Sequence, residues 1–486
     1  MHRQLLRHIP RVSGRAVAGA NRQWVRAFSS PVDIKQTNLF INGEFVPSVT
    51  GSTFETFNPS TGEKIADVAE ATAADIDNAV AAARAAFDGP WRTMDAAERG
   101  HLLYKLADLI LENQDELAAI EALDGGKPVF FAKVVDVFTA AQKLHYFAGW
   151  ADKINGQTIP ITGPFMAYTK MEPIGVCAQI IPWNFPLIMA TMKLGPALAA
   201  GNTVVLKPAE QTPLSALRLG ELIAEAGFPK GVVNIVPGIG SVSGRHLTQH
   251  PGVDKIAFTG STEVGYQIMR SSHVSNLKRV TLELGGKSPN IICDDADIDV
   301  AIQQAQSGVF FNQGQLCISG SRVYVQEGIY DEFVRRTAEA AAANVVGDMF
   351  APGVTQGPQI DAAQRDKILG YCEAGVREGA RLVTGGHRIG NEGNFVEPTV
   401  FADRANDSVY GLGAGVVTQN INTAIKISNG VRSGTVYVNC YGKIDPSTPF
   451  GGFKDSGIGR ELGQAGLNAY LENKTVIIKR PDDSLP

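Results

Sequence analysis

The stretch Val176-Cys-Ala-Gln-Ile-Ile-Pro-Trp-Asn-Phe-Pro-Leu-Ile-Met-Ala-Thr-Met-Lys-Leu-Gly-Pro-Ala-Leu-Ala-Ala-Gly-Asn-Thr-Val-Val-Leu206 decides the architecture. Val176 to Ile180 fits a buried strand. A proline-bounded turn follows, and then an apolar helix over about Met189–Ala200. A second apolar strand runs over Thr203–Leu206. Strand, helical crossover and strand make a parallel unit. The pattern repeats, with strands at Val232–Ile235, Lys255–Phe258 and Val280–Leu282. Helices fall between them near Pro213–Glu225, Gly240–His250 and Thr262–Arg270. Apolar strands alternating with helices predict an α/β fold, a parallel sheet covered on both faces, in the dinucleotide-binding arrangement. Trp183-Asn184, three prolines and Lys193 interrupt the longest apolar run, Ile174 to Leu206, so it does not fit a membrane span.

Outward from this core, Leu39–Val46 reads as a hairpin around Asn42-Gly43. Thr72 and Asp75 read as the cap of an alanine-rich helix. Asn155–Met171 is strand-like, a second α/β region runs from about Asn290 to Phe453, and Lys474–Lys479 reads as a final strand. A chain of 486 residues is too long for one ordinary core. The five cysteines are scattered without a CxxC pair, which argues for a reducing compartment and against a disulfide framework or metal site. Met1–Ser30 holds six arginines, two histidines and no acid, the pattern of a mitochondrial presequence. Losing those six charges would take the formal net charge from −5 to −11, which disfavours a nucleic-acid partner.

Three stretches carry chemistry. Phe311-Asn-Gln-Gly-Gln-Leu-Cys-Ile-Ser-Gly-Ser-Arg322 places Cys317 in a turn between a helix and a strand. A lone cysteine is more often inert core than nucleophile. Val280-Thr-Leu-Glu-Leu-Gly-Gly-Lys-Ser-Pro-Asn290 sets Glu283 between two leucines, where desolvation would raise its pKa toward that of a useful base. Ile181-Pro-Trp-Asn-Phe-Pro186 fixes the amide of Asn184 between prolines. Thiol, tunable carboxylate and amide donor are the parts of acyl-type chemistry. Gly286-Lys287-Ser288 imitates the end of a phosphate-binding loop, but the glycine that motif requires earlier is Thr281.

PWNFP, LELGGKSPN and FNQGQLC with SGSR, in that order, make the chain resemble the NAD-dependent aldehyde dehydrogenases, most closely the mitochondrial and cytosolic enzymes of simple aldehydes. The resemblance implies a Rossmann-like NAD-binding domain (31–154 and 174–285), a catalytic domain (286–455) and a small β oligomerisation arm (155–173 and 471–486), each arm segment pairing with a neighbour's sheet in a homo-oligomer. It implies oxidation of an aldehyde to a carboxylic acid with NAD through a Cys317 thiohemiacetal and thioester. Glu283 would activate water and Asn184 would hold the oxyanion.

The turn Phe258-Thr-Gly-Ser-Thr-Glu-Val-Gly265 resembles the family's nucleotide loop, which assigns Gly260, Ser261 and Gly265 to the cofactor, with Gly240, Ile181 and Trp183. Lys207 and Glu210 follow a strand where ribose-binding groups sit. Glu210 would favour NAD over NADP by repelling a 2′-phosphate. Phe185, Met189, Met192 and Ile444 match positions lining the family's substrate tunnel and imply an apolar aldehyde. Relatives often carry tryptophan at Met192, and some have cysteines at Leu316 and Ile318. Lys193 is a candidate either for lowering the thiol pKa or for a structural role.

The chain departs from the family after Val400-Phe-Ala-Asp403. A segment of about thirty residues is expected there, holding a core strand, a helix and the glutamate that binds the nicotinamide ribose. Its loss should expose a sheet edge. Two other readings stay open: a catalytically impaired homologue or isoform, and a thiol esterase that needs no hydride acceptor.

Overall fold

Residues 32–403 and 408–480 are described by the computed structural model; the presequence expected over 1–30, residues 404–407 and the end of the 471–486 segment lie outside the described residues. Strands β1 (Leu39–Ile41) and β2 (Glu44–Val46) form the predicted hairpin. Asn42 and Gly43 both take positive φ, 53° and 77°, as a two-residue hairpin turn demands. Helix α1 (Ala73–Asp88) starts at Thr72, whose N–H and hydroxyl both donate to Asp75 Oδ2, at 2.8 and 2.7 Å. Helix α2 (Gln114–Gly125) ends at Gly126 in the left-handed region.

The alternation then runs β3 (Val176–Ile180), α3 (Pro186–Ala200), β4 (Thr203–Lys207), α4 (Leu214–Ala226), β5 (Val233–Ile235), β6 (Lys255–Thr259), α5 (Thr262–Ser272) and β7 (Arg279–Glu283). These strands and the hairpin form one sheet in the order β2-β1-β5-β4-β3-β6-β7, closed by the short strand Gly457–Ile458. Strands β3 to β7 are parallel to their neighbours in it. The order reverses at β3: β4 lies on one side and β6 on the other. That switch point opens a crevice beyond the strands' C-terminal ends.

Helix α3 is apolar all round, and every one of its residues is buried. Asn202, just past its end, holds three parts together. Its Oδ1 accepts from Gly175 N at 2.9 Å, and its Nδ2 donates to Ala197 O and Tyr470 O. The helix expected over Gly240–His250 is a wide turn, Gly240–Gly244, followed by a short helix, Arg245–Gln249. The flanking glycines account for the loosened first turn.

A second sheet contains β8 (Pro289–Ile292), β9 (Arg322–Val325), β10 (Gly413–Val417) and β11 (Thr435–Val438). Helix α6 (Ile298–Phe310) joins β8 to the nucleophile turn. The order is β9-β8-β10-β11, all parallel. Strand β9 is half-exposed along its whole length and has no outer neighbour among the described residues. At the junction, Val400–Ala402 pairs with Arg381–Thr384 in a separate two-stranded sheet. Asp403 there has a φ of 67° and is held by Tyr330 and Arg381, at 2.5 and 2.6 Å.

The arm corrects one expectation. Phe165–Pro173 and Leu471–Lys479 pair antiparallel with each other over nine positions within one chain. They do not each await a neighbour's sheet. Phe165–Pro173 is flanked on its other side by Thr158–Ile159 at Ala167 and Tyr168 alone, so Leu471–Lys479 and Thr158–Ile159 are the two edge strands of the arm.

Candidate active site

Asp297 caps helix α6 by accepting from Asp299 N and Val300 N, which fixes the start of the nucleophile unit. Past its end, Asn312, Gln313 and Gly314 are all left-handed, with φ of 49°, 58° and 76°. Two consecutive non-glycine residues in that region store strain, and their surroundings must impose it. They do so by hydrogen bonds. Asn312 Nδ2 donates to Asn184 O at 3.0 Å, Gln313 Nε2 to Gly126 O at 3.0 Å, and Ile360 N to Gln315 Oε1 at 3.1 Å. The amide-rich spelling Asn-Gln-Gly-Gln is therefore the set of anchors of a reversing turn.

Cys317 follows, half-buried, with its own N–H and that of Ile318 favouring the thiolate. Burial first, and then the charge of Glu283, push its pKa up to about 12. The thiol at rest is protonated. Lys193 does not relieve this: the lysine, 1 % exposed, is ion-paired with Glu461. The expectation that Lys193 lowers the thiol pKa is corrected, because its charge is spent on that buried carboxylate.

Glu283 is the last residue of β7 and is 4 % exposed. Its Oε2 is buried with no hydrogen-bond partner. A Cβ added to Gly451 would lie 2.7 Å from its Oε1, so only glycine fits against it. Burial first, and then the nearby Glu461, hold its pKa well above the carboxylate range, with Lys193 and Arg460 opposing. Cys317, Glu283, Glu461 and Thr259 share one narrow cavity of about 10 Å³, whose remaining wall is Met189, Met192, Leu284, Leu412 and Phe450.

Asn184 reaches the nucleophile turn from the other side, its Nδ2 donating to Gln315 O at 2.8 Å. One amide hydrogen is thus spent and one remains. Met189 and Met192 lie on the cavity wall. Phe185 does not; it stacks on Phe311, with ring centres 6.4 Å apart. Ile444 packs at the edge of the main core, as does Leu316, while Ile318 is buried within it. Sequence reasoning missed Glu461. The signal for it was Lys193, a single charge inside an apolar helix that must find a buried counter-ion.

The crevice at the switch point gathers most of the cofactor candidates. Lys207 Nζ lies 3.5 Å from Glu210 Oε2, and a Cβ on Gly240 would lie 3.8 Å from Glu210 Oε1. Ile181 N donates to Lys207 O at 3.1 Å, and Trp183 O accepts from Thr212. Ser261 caps α5 by accepting from Val264 N at 3.2 Å, leaving the first amides of that helix facing the crevice. Gly260 and Gly265 sit close against neighbouring side chains: a Cβ would lie 2.4 Å from Phe258 and 2.6 Å from Leu284, which would have to shift. An acid beside a glycine, next to a helix N-terminus at the end of a parallel sheet, fits a dinucleotide. Among the described residues, the one His/Asp group of three close enough to hold an ion, Asp77 with His246 and His250, does not line the reaction cavity.

The family model described as the aldehyde dehydrogenase family matches residues 45–405 and 403–476, two pieces that meet at the junction after Asp403. Human retinal dehydrogenase 2 is 53 % identical over 482 residues, covering 93 % of each chain. Human aldehyde dehydrogenase 1A1 is 54 % identical over 478 residues, covering 92 % of this chain and 95 % of its own. The solved NAD+ complex of an aldehyde dehydrogenase from Bacillus cereus is 47 % identical. It superposes with a TM-score of 0.90, covering 94 % of this chain and 98 % of that one. With this fold, this cavity and these likenesses, the chain belongs to the aldehyde dehydrogenase family.

Proposed function

We propose that this chain oxidises an apolar aldehyde to its carboxylic acid with NAD, using Cys317 as nucleophile, Glu283 as base and Asn184 as oxyanion donor. The observation that carries the reading is that Cys317 and Glu283 open on the same apolar cavity. The thiol is neutral at rest, so its proton must first pass to solvent water, and Glu283, on the same cavity, is kept for the later water step. As that proton leaves, sulfur bonds to the aldehyde carbon and the carbonyl electrons move to oxygen. The unspent N–H of Asn184 and the N–H of Cys317 receive the oxyanion.

Lys207, Glu210, Gly240 and the N-terminus of α5 would hold NAD, which supplies the acceptor for the hydride leaving the thiohemiacetal carbon. The thioester left on Cys317 is then hydrolysed: Glu283 takes a proton from water, oxygen bonds to the acyl carbon and the thiol departs. Met189, Met192, Leu412 and Phe450 favour an apolar substrate, and relatives named retinal dehydrogenase 2 are consistent with a bulky one. Replacing Cys317 by Ala should abolish NADH formation from an aldehyde while NAD binding persists; retained turnover would overturn the assignment.

The arginine-rich, acid-free start of the sequence supports a mitochondrial location. The open edge of Leu471–Lys479, where Ile477 and Ile478 are exposed, supports assembly with further copies.

A further inference from the structure

Behind the reaction cavity, helix α2 ends in Glu121-Ala-Leu-Asp-Gly-Gly-Lys127, and this one helix end reaches both loops of the site. Glu121, 2 % exposed, accepts through Oε1 from Leu187 N at 3.1 Å and from the Ser215 hydroxyl. Leu187 lies in the first turn of α3, directly after Asn184-Phe185. Asp124 accepts from Leu214 N at 3.0 Å and so fixes the start of α4. The Lys127 ammonium sits 3.9 Å from the centre of the Phe185 ring. The Gly126 carbonyl takes the amide of Gln313, which anchors the strained turn before Cys317. That carbonyl is tightly enclosed: a Cβ on Gly357 would lie 1.9 Å from it, and one on Gly126 itself 2.9 Å from Pro358.

Three carboxyl oxygens of this cluster have no partner: Glu121 Oε2, Asp124 Oδ1 and Asp136 Oδ1. Glu121 Oε2 and Asp136 Oδ1 are both buried with no donor, yet the two carboxyls are within hydrogen-bonding reach. One proton between them satisfies both atoms and leaves a single negative charge opposite Lys127, which is ion-paired with Asp136. The groups facing Glu121 are Asp136 and Lys127 from the segment after α2, Ser215 from α4 and Asp124 from its own helix; Lys143 faces Asp136 from the helix that follows. Burial first, and then the charge of Asp136, raise the Glu121 pKa to about 8, in keeping with a carboxyl that holds its proton.

We propose that Glu121 is a positioning residue for this reaction: its carboxyl, sharing one proton with Asp136, fixes the first turn of α3 and through it the Asn184 amide, while Gly126 and Lys127 fix the two flanking loops. The proposal rests on the roles given above to Asn184 and Cys317.

Two substitutions test it. Glu121→Gln keeps an acceptor for Leu187 and Ser215 and offers an N–H to Asp136, which is the pattern of the protonated acid. Its kcat should stay within about threefold of the parent chain. Glu121→Ala removes the acceptor. Its kcat should fall about tenfold to a hundredfold, with aldehyde KM and NAD affinity little changed. Amide exchange over residues 181–190 should be faster in Glu121→Ala and unchanged over 262–272. Exchange is measured on the resting protein without NAD or aldehyde, so it decides the positioning claim even if the catalytic roles are wrong.

Loss of activity in Glu121→Gln equal to that in Glu121→Ala would overturn the shared proton. Unchanged kcat and exchange in Glu121→Ala would overturn the positioning role. Should Glu121→Ala not fold, the pH dependence of thermal stability decides. The folded parent holds a proton that the unfolded chain releases above 4.5, so its stability should fall relative to Glu121→Gln as pH rises from 4.5 to about 8. Parallel curves would contradict the proposal.

Discussion

Burial disfavours the ionised form of both reactive groups, Cys317 and Glu283. The base must therefore lose its own proton before it can accept another, and turnover should climb as pH rises above neutrality. Replacing Glu283 by Gln should leave one rapid burst of NADH and then lower steady turnover by about a hundredfold or more, because the thioester loses its water-activating base. A stopped-flow trace with no burst would contradict that order of steps. Stability carries the same sign. The raised pKa means that folded Glu283 keeps a proton that the unfolded chain gives up above 4.5, so its contribution is present at low pH and is lost as pH rises through the raised value. Glu283→Gln should accordingly gain more in melting temperature at alkaline than at acid pH. That Cys317 and Glu283 would meet on one cavity was legible because each sits in a short contiguous motif. Glu461 was not, since what makes it part of the site is a lysine 268 positions away.

At the scale of elements, α3 is the piece through which the site is mounted. It carries Met189 and Met192 on the cavity, starts at the Asn184 loop and is joined to the C-terminal segment by the buried Lys193–Glu461 pair. Removing one member of such a pair leaves an uncompensated charge, so Lys193→Met should cost about 3–5 kcal/mol of unfolding free energy. The double variant Lys193→Met with Glu461→Leu should recover most of it. Denaturant unfolding of the three variants checks this; equal stability of the single variant and the parent would contradict it. The strand–helix alternation was legible because parallel strands buried on both faces are written as apolar runs. The partner of Phe165–Pro173 was not, because register between segments some 300 residues apart leaves no local trace.

For the whole molecule, the junction after Asp403 is the point where sequence, structure and family diverge. The family model matches in two pieces that meet there, and β9 is left as a half-exposed edge. We propose that the absent strand belongs beside that edge. Inserting a relative's segment of about thirty residues after Asp403 should raise both the melting temperature and kcat. An insertion that lowers both would show that the chain is adapted to its present form. Central to the account is a covalent acyl intermediate on one sulfur. Incubating Glu283→Gln with NAD and an apolar aldehyde, quenching in acid and mapping the digest by mass spectrometry should find the acyl mass on the peptide carrying Cys317. No adduct, or an adduct confined to another cysteine, would contradict it.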